Sequence, residues 1–156
     1  MRRTFLFLAA ATAIVSTSAP AQDFSRNPSF GTLNLSAGFA DDPRVVNVTA
    51  GGQRNANGLG DGCVGSIANS PDVRVNYQAG SFPLIFSVAS DQDTTLVING
   101  PDGRWYCNDD TNGVNPVVRF EPAASGQYDV YIGHYGTGSH IPARLYVSEV
   151  SAGGGG

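Results

Sequence analysis

Residues 91–120 read DQDTTLVINGPDGRWYCNDDTNGVNPVVRF, and this stretch decides the fold. Thr94 to Asn99 is β-branched and apolar. Gly100-Pro101-Asp102-Gly103 then places Pro and Gly where a type I turn followed by a left-handed residue needs them. Arg104 to Asn108 runs back, so the pattern predicts a β-hairpin. Folding the chain about that turn sets Asp93 roughly opposite Asp110, with Asp91, Asn108, Asp109 and Asn112 nearby. Oxygen-bearing side chains gathered on one rim repel unless something positive neutralises them. A hard oxygen-seeking cation, Ca²⁺ ahead of Mg²⁺, is the natural candidate. If Asp109 and Asp110 continue the strand, they point to opposite faces and only one ligates directly. Asp102, inside the turn, is expected to cap it and nothing more.

Period-2 alternation recurs on both sides of the hairpin, and helical periodicity is nearly absent. Val46 and Val48, Val73 to Tyr77, Leu84, Phe86 and Val88, Val118 to Phe120, Tyr128 to Ile132 and Leu145 to Val147 each place apolar residues at period 2. With the hairpin arms this gives about eight short strands, separated by Gly, Pro, Asn and Asp. One apolar and one polar face per strand predicts an all-β fold, an antiparallel β-sandwich of jelly-roll type. The Gly- and Asn-rich segment 51–70 reads as one long loop, a length that is usually functional or tied down.

The amino terminus carries Arg2 and Arg3, an apolar run from Phe5 to Val15, and Ala19-Pro20-Ala21 before Gln22. This is the pattern of a cleaved secretory signal over residues 1–21, the run being too short to span a bilayer. The arginine pair also resembles a twin-arginine export signal. Removing residues 1–21 leaves 135 residues, enough for one domain over 22–150, and residues 151–156 read as a flexible Gly-rich tail. Arg2 and Arg3 leave with the leader, so seven arginines face thirteen acids and the mature charge is −6. There is no lysine, and nucleic acid or an anionic membrane surface would need the opposite sign. The chain is therefore expected to work outside the cytoplasm, secreted or periplasmic, with no nucleic acid partner and no membrane span.

In that compartment Cys63 and Cys107 are expected to form a disulfide. A zinc site joining them to His134 and His140 lacks the close ligand spacing such sites use. No Gly-x-Ser-x-Gly elbow occurs, Ser139-His140 has no acid to orient the ring, and Glu121 and Glu149 both fall on outward strand faces by alternation. The expectation is a protein that is not an enzyme. Tyr131 and Tyr146 fall on the solvent phase of their strands, and Tyr106 or Trp105 must do so on the hairpin. Aromatics on a sandwich face can stack on sugar rings or pack on an extended polypeptide, so these four form a possible ligand face.

Asp91-Gln92-Asp93-Thr94-Thr95-Leu96-Val97-Ile98, Pro101-Asp102-Gly103, Asn108-Asp109-Asp110, Asn115-Pro116 and the run from Pro122 to Tyr131 occur in one order over residues 72–148. In this the chain resembles the bacterial pre-peptidase C-terminal domain. The resemblance implies a jelly-roll β-sandwich appended to secreted peptidases, with relatives that bind collagen and are ordered by calcium. It implies Asp93, Asp109 and Asp110 as calcium ligands, to which the hairpin reading adds Asp91 and Asn108. In the collagen-binding relatives an acidic N-terminal segment completes the site, and Asp41-Asp42 is the one acidic pair that could stand in for it. The 156 residues include no peptidase segment, which departs from the passenger role. The expected function is a secreted, non-catalytic calcium-binding module whose partner is an extracellular polypeptide or polysaccharide. A free-standing accessory of a secreted peptidase is the alternative, and a hydrolase with an unrecognised site is a weaker one.

Overall fold

The computed structural model describes residues 23–111, 113–136 and 139–153. The expected signal sequence, Asn112 and the last three glycines of the tail lie outside the described residues. Eleven strands follow in order: β1 (Thr32–Ser36), β2 (Arg44–Gly51), β3 (Arg54–Asn55), β4 (Ser66–Ile67), β5 (Val73–Gln78), β6 (Leu84–Ala89), β7 (Thr94–Asn99), β8 (Trp105–Asn108), β9 (Val117–Phe120), β10 (Gly126–His134) and β11 (Ser139–Ser148). The eight expected strands are all present, and β1, β3 and β4 are additional. Among the described residues no helix is long and apolar enough to cross a membrane.

The strands make a β-sandwich of two packed sheets. One runs β2-β11-β6-β9. The other centres on β10, which pairs β5 and then β4 along one edge and β7 along the other; β1 adds to β5, β8 to β7 and β3 to β4. Pairing is antiparallel with one exception. β1 lies parallel to β5, in register from Thr32↔Arg74 to Ser36↔Gln78. The two are separated by β2 to β4, a connection long enough to bring a second strand back in the same direction.

The hairpin forms as its turn chemistry requires. β7 and β8 pair from Leu96↔Asn108 to Asn99↔Trp105. The Gly103 amide donates to the Gly100 carbonyl at 2.9 Å, and Gly103 has φ +76°, a conformation glycine adopts without cost. Asp102 accepts the Arg104 amide at 3.1 Å and the Tyr106 hydroxyl at 2.8 Å, so it caps the turn.

The main core lies between the sheets and includes Val73, Val75, Leu84, Phe86, Leu96, Ile98, Val130, Ile132, Leu145 and Val147. Tyr128 is fully buried with them, its hydroxyl donating to the Ala124 carbonyl at 2.8 Å, and Phe86 and Phe120 pack on its ring. A second, smaller core sits on the outer face of the β10 sheet, where Val97 and Tyr131 are covered by Ala56, Cys63 and Ile67 of the long loop. The Cys63–Cys107 disulfide closes it, with Cα atoms 4.9 Å apart. The far end of the chain covers part of the other sheet: Gly153 exchanges two hydrogen bonds with the Ser87 hydroxyl, so the expected flexible tail is anchored at that point.

Two corrections follow from these covers. The four aromatics do not form an exposed face. Tyr131 has the outward phase read from the sequence but lies fully buried beneath the loop, with the Trp105 ring centred 5.7 Å away. Tyr106 faces the main core against Phe120, and Tyr146 is half-buried beneath Gly153 with the Arg144 guanidinium 5.8 Å from its ring. Nor does Glu149 face outward. The strand ends at Ser148, and Glu149 is buried, accepting the Tyr77 hydroxyl at 2.5 Å and the Gly38 amide at 2.8 Å.

Asp72 is buried where β5 stops pairing with β10, and it accepts the amide of Ile132 at 2.7 Å. It thus satisfies a main-chain donor that has run past its partner strand. Burial pushes its carboxyl up to about 7, against which the Ile132 amide works in part.

Two outcomes are expected. Replacing both cysteines, Cys63→Ser with Cys107→Ser, lowers stability by roughly 2–4 kcal/mol in urea denaturation. It also red-shifts the emission of Trp105, the only tryptophan, as the second core opens. For Asp72, both states are protonated below the unfolded value of 3.8; between there and about 7 only the unfolded chain ionises, so stability falls as pH rises and the loss is complete above 7. Asp72→Asn removes that dependence, so the stability difference between variant and wild type, followed by thermal melts from pH 4 to pH 8, moves in favour of the variant.

Candidate functional site: the acidic loop rim

The rim is built by the chain ends of β7, β8 and β10. Asp93 sits one residue before β7, and its carbonyl accepts the Tyr135 amide at 3.2 Å. The next amide, Thr94, donates to the Val114 carbonyl at 3.2 Å rather than to β8, whose ladder has ended at Asn108. The hairpin arms therefore diverge, and the loop after β8 folds across the start of β7. Asp109 is half-buried and Asp110 exposed at the beginning of that loop.

The Asp93 Oδ1 atom is buried and has no hydrogen-bond partner. Burial raises the Asp93 carboxyl above the ordinary carboxylate value, and the negative charges of Asp110 and then Asp109 raise it further. His134 works in the opposite direction. The structure thus brings Asp93, Asp109 and Asp110 close enough to feel one another, as the hairpin reading required, without giving Asp93 a compensating bond. Three more unpartnered buried atoms belong to the same stretch: Thr94 Oγ1, Thr95 Oγ1 and His134 Nδ1. Their position was legible only after pairing was known, since Thr94 and Thr95 read as ordinary β-formers and His134 meets them through the β7–β10 register.

The other two expected ligands have different roles. The Asn108 Oδ1 atom accepts the Val117 amide at 2.9 Å and the Thr111 hydroxyl at 2.7 Å, closing the loop on itself. Asn108 is a loop-fastening residue, because its one carbonyl oxygen is already engaged. Asp91 is exposed and lines a separate hollow of about 570 Å³ with Asn47, Asn115 and Arg144. Asn115 also fastens the rim, accepting the Ser90 amide at 3.0 Å.

Among the described residues, no three His, Cys, Asp or Glu side chains converge as a ready-made ligand set for a metal. A calcium ion here would complete its shell from main-chain carbonyls and water, both of which it accepts, since the Asn108 and Asn115 oxygens are engaged. The zinc alternative is closed, since Cys63 and Cys107 are bonded to each other. Asp41 and Asp42, the possible stand-in for an N-terminal acidic segment, lie elsewhere: Asp42 accepts the Glu149 amide at 2.9 Å and Asp41 pairs loosely with Arg44 at 3.8 Å. Compared with models of known protein families and with curated proteins, the chain matches none.

Asn108→Ala leaves the Val117 amide and the Thr111 hydroxyl without their acceptor. It is expected to cost about 1–3 kcal/mol in urea denaturation, whereas Asp91→Asn stays within about 0.5 kcal/mol.

Proposed function

We propose that the protein is a secreted, non-catalytic β-sandwich module of jelly-roll type whose acidic rim takes a calcium ion. The observation that carries this reading is the buried, unpartnered Oδ1 of Asp93 facing the charges of Asp109 and Asp110. A buried acceptor left without a donor is costly, and neighbouring carboxylates raise the cost instead of relieving it. A divalent cation removes both penalties at once. Calcium suits the place better than magnesium, because it tolerates an irregular shell completed by loop carbonyls and water. The ion would order the loops 90–94 and 108–115 against each other, a structural role with no reacting group attached to it.

Secretion is supported by the leader-like residues 1–21 and by the disulfide, which belongs to an oxidising compartment. The likeness to the pre-peptidase C-terminal domain points the same way and suggests an extracellular polypeptide or a secreted peptidase as partner. With the aromatics covered, recognition falls to the loop ends of the sandwich instead of a flat aromatic face.

Millimolar Ca²⁺ is expected to raise the melting temperature by several degrees, with EDTA reversing the rise, as mass action requires of a ligand that binds only the folded state. Asp93→Asn with Asp110→Asn should abolish the response while the apo domain still melts cooperatively. A wild-type protein indifferent to calcium would end this reading.

A further inference from the structure

A cavity of about 430 Å³ lies away from the acidic rim and shares no residue with it. Its walls include Ser29, Phe30, Thr49, Gln53, Asp72 and His140. The segment before β1 closes one side and is pinned there, the Ser29 and Phe30 amides donating to the carbonyls of Pro71 and Asp72 at 2.9 and 2.7 Å. The start of β11 closes the other side. There the register with β2 slips between Ser139 and Ile141, and the extra residue, His140, has φ +70°. A bulge with a non-glycine residue in the left-handed region re-aims a side chain, and such features gather at binding sites.

Asp72 is the decisive residue. It is 2% exposed and is one of the residues that border the cavity. One oxygen holds the Ile132 amide. No cationic side chain among the described residues offsets its burial, and the chain contains no lysine to do so. By contrast Asp129, equally buried, is paired with Arg74 at 2.7 Å. A buried carboxyl with an aromatic ring beside it and a path to solvent is built to take an organic cation on an alkyl stem: the acid supplies the counter-charge, and Phe30, 37% exposed, covers the stem and attracts the charge through its ring face.

We propose that this cavity recognises a basic side chain, lysine or arginine, presented by a partner polypeptide, with Asp72 as counter-ion and Phe30 as the apolar wall. The reading is independent of the calcium rim, so its test is run in EDTA. Nitrogen-15-labelled protein is titrated at pH 8 with N-acetyl-lysine methylamide, the corresponding arginine derivative, and the norleucine derivative as an uncharged control of like shape. Saturable shifts at the Phe30, Asp72 and His140 amides are expected with at least one of the two cations and not with norleucine, and the lysine and arginine arms identify which cation is preferred. Asp72→Asn, which keeps an acceptor for Ile132, should weaken binding at least tenfold. Phe30→Ala, at a partly exposed position that does not endanger folding, should weaken it severalfold. Shifts of equal size with norleucine, no saturable shift with either cation, or unaltered affinity in both variants would overturn the proposal.

Discussion

The constraint on which this structure depends is that the β10 sheet must bury both of its faces. Its inner face packs in the sandwich, but Val97 and Tyr131 on the outer face are just as apolar and fully buried. They stay dry only because residues 52–70 fold over them and the Cys63–Cys107 bridge holds that loop to β8. The loop can lie this close because its glycines leave room: a Cβ at Gly65 would stand 2.8 Å from both the His134 carbonyl oxygen and the Thr95 side chain, and one at Gly52 2.2 Å from the Ile67 carbonyl oxygen. The Gly-rich composition that reads as a flexible loop is thus a close-packing device. It removes the apolar part of the outer face of the β10 sheet from solvent.

The carboxylates then sort themselves by what compensates them. Asp129 has Arg74, Glu149 has Tyr77 and the Gly38 amide, and Asp102 has its own turn. These are structural. Asp93 and Asp72 differ, since each is raised by burial and neither is met by a guanidinium among the described residues. Asp93 is only partly buried and His134 offsets its shift in part, yet its buried Oδ1 has no partner; acids raised by burial without a paired guanidinium are where ligands are sought. The two differ in what surrounds them: Asp93 feels the charges of Asp110 and Asp109, which suits a metal ion, and Asp72 borders a cavity whose wall includes Phe30, which suits an organic cation.

Much of this was legible in the residues, for reasons that are local. The Gly100 to Gly103 turn is determined by its own side chains and backbone preferences, so the hairpin and the gathering of Asp93, Asp109 and Asp110 could be read directly. The alternation of Val73 to Tyr77 and of Tyr128 to Ile132 fixed which residues face the core. What alternation could not supply was the cover on the opposite face, so Tyr131 was assigned the right side of its sheet and the wrong environment. Glu149 failed differently, because the period ends where Ser148 turns the chain by accepting the amides of Val150 and Ser151. β3 and β4 are two residues each and exist only through tertiary pairing. Asn108 looked like a ligand because nothing in the sequence says that its oxygen closes a loop onto Val117.

The measurement closest to the centre of this account is amide hydrogen exchange, followed residue by residue with and without millimolar Ca²⁺ and with the disulfide intact. Calcium should slow exchange at residues 90–94 and 108–115 and leave the β2-β11-β6-β9 sheet unchanged. Exchange that is the same in both conditions along those two segments, or slowing that appears only elsewhere, would contradict the assignment of the rim as the protein's cation site.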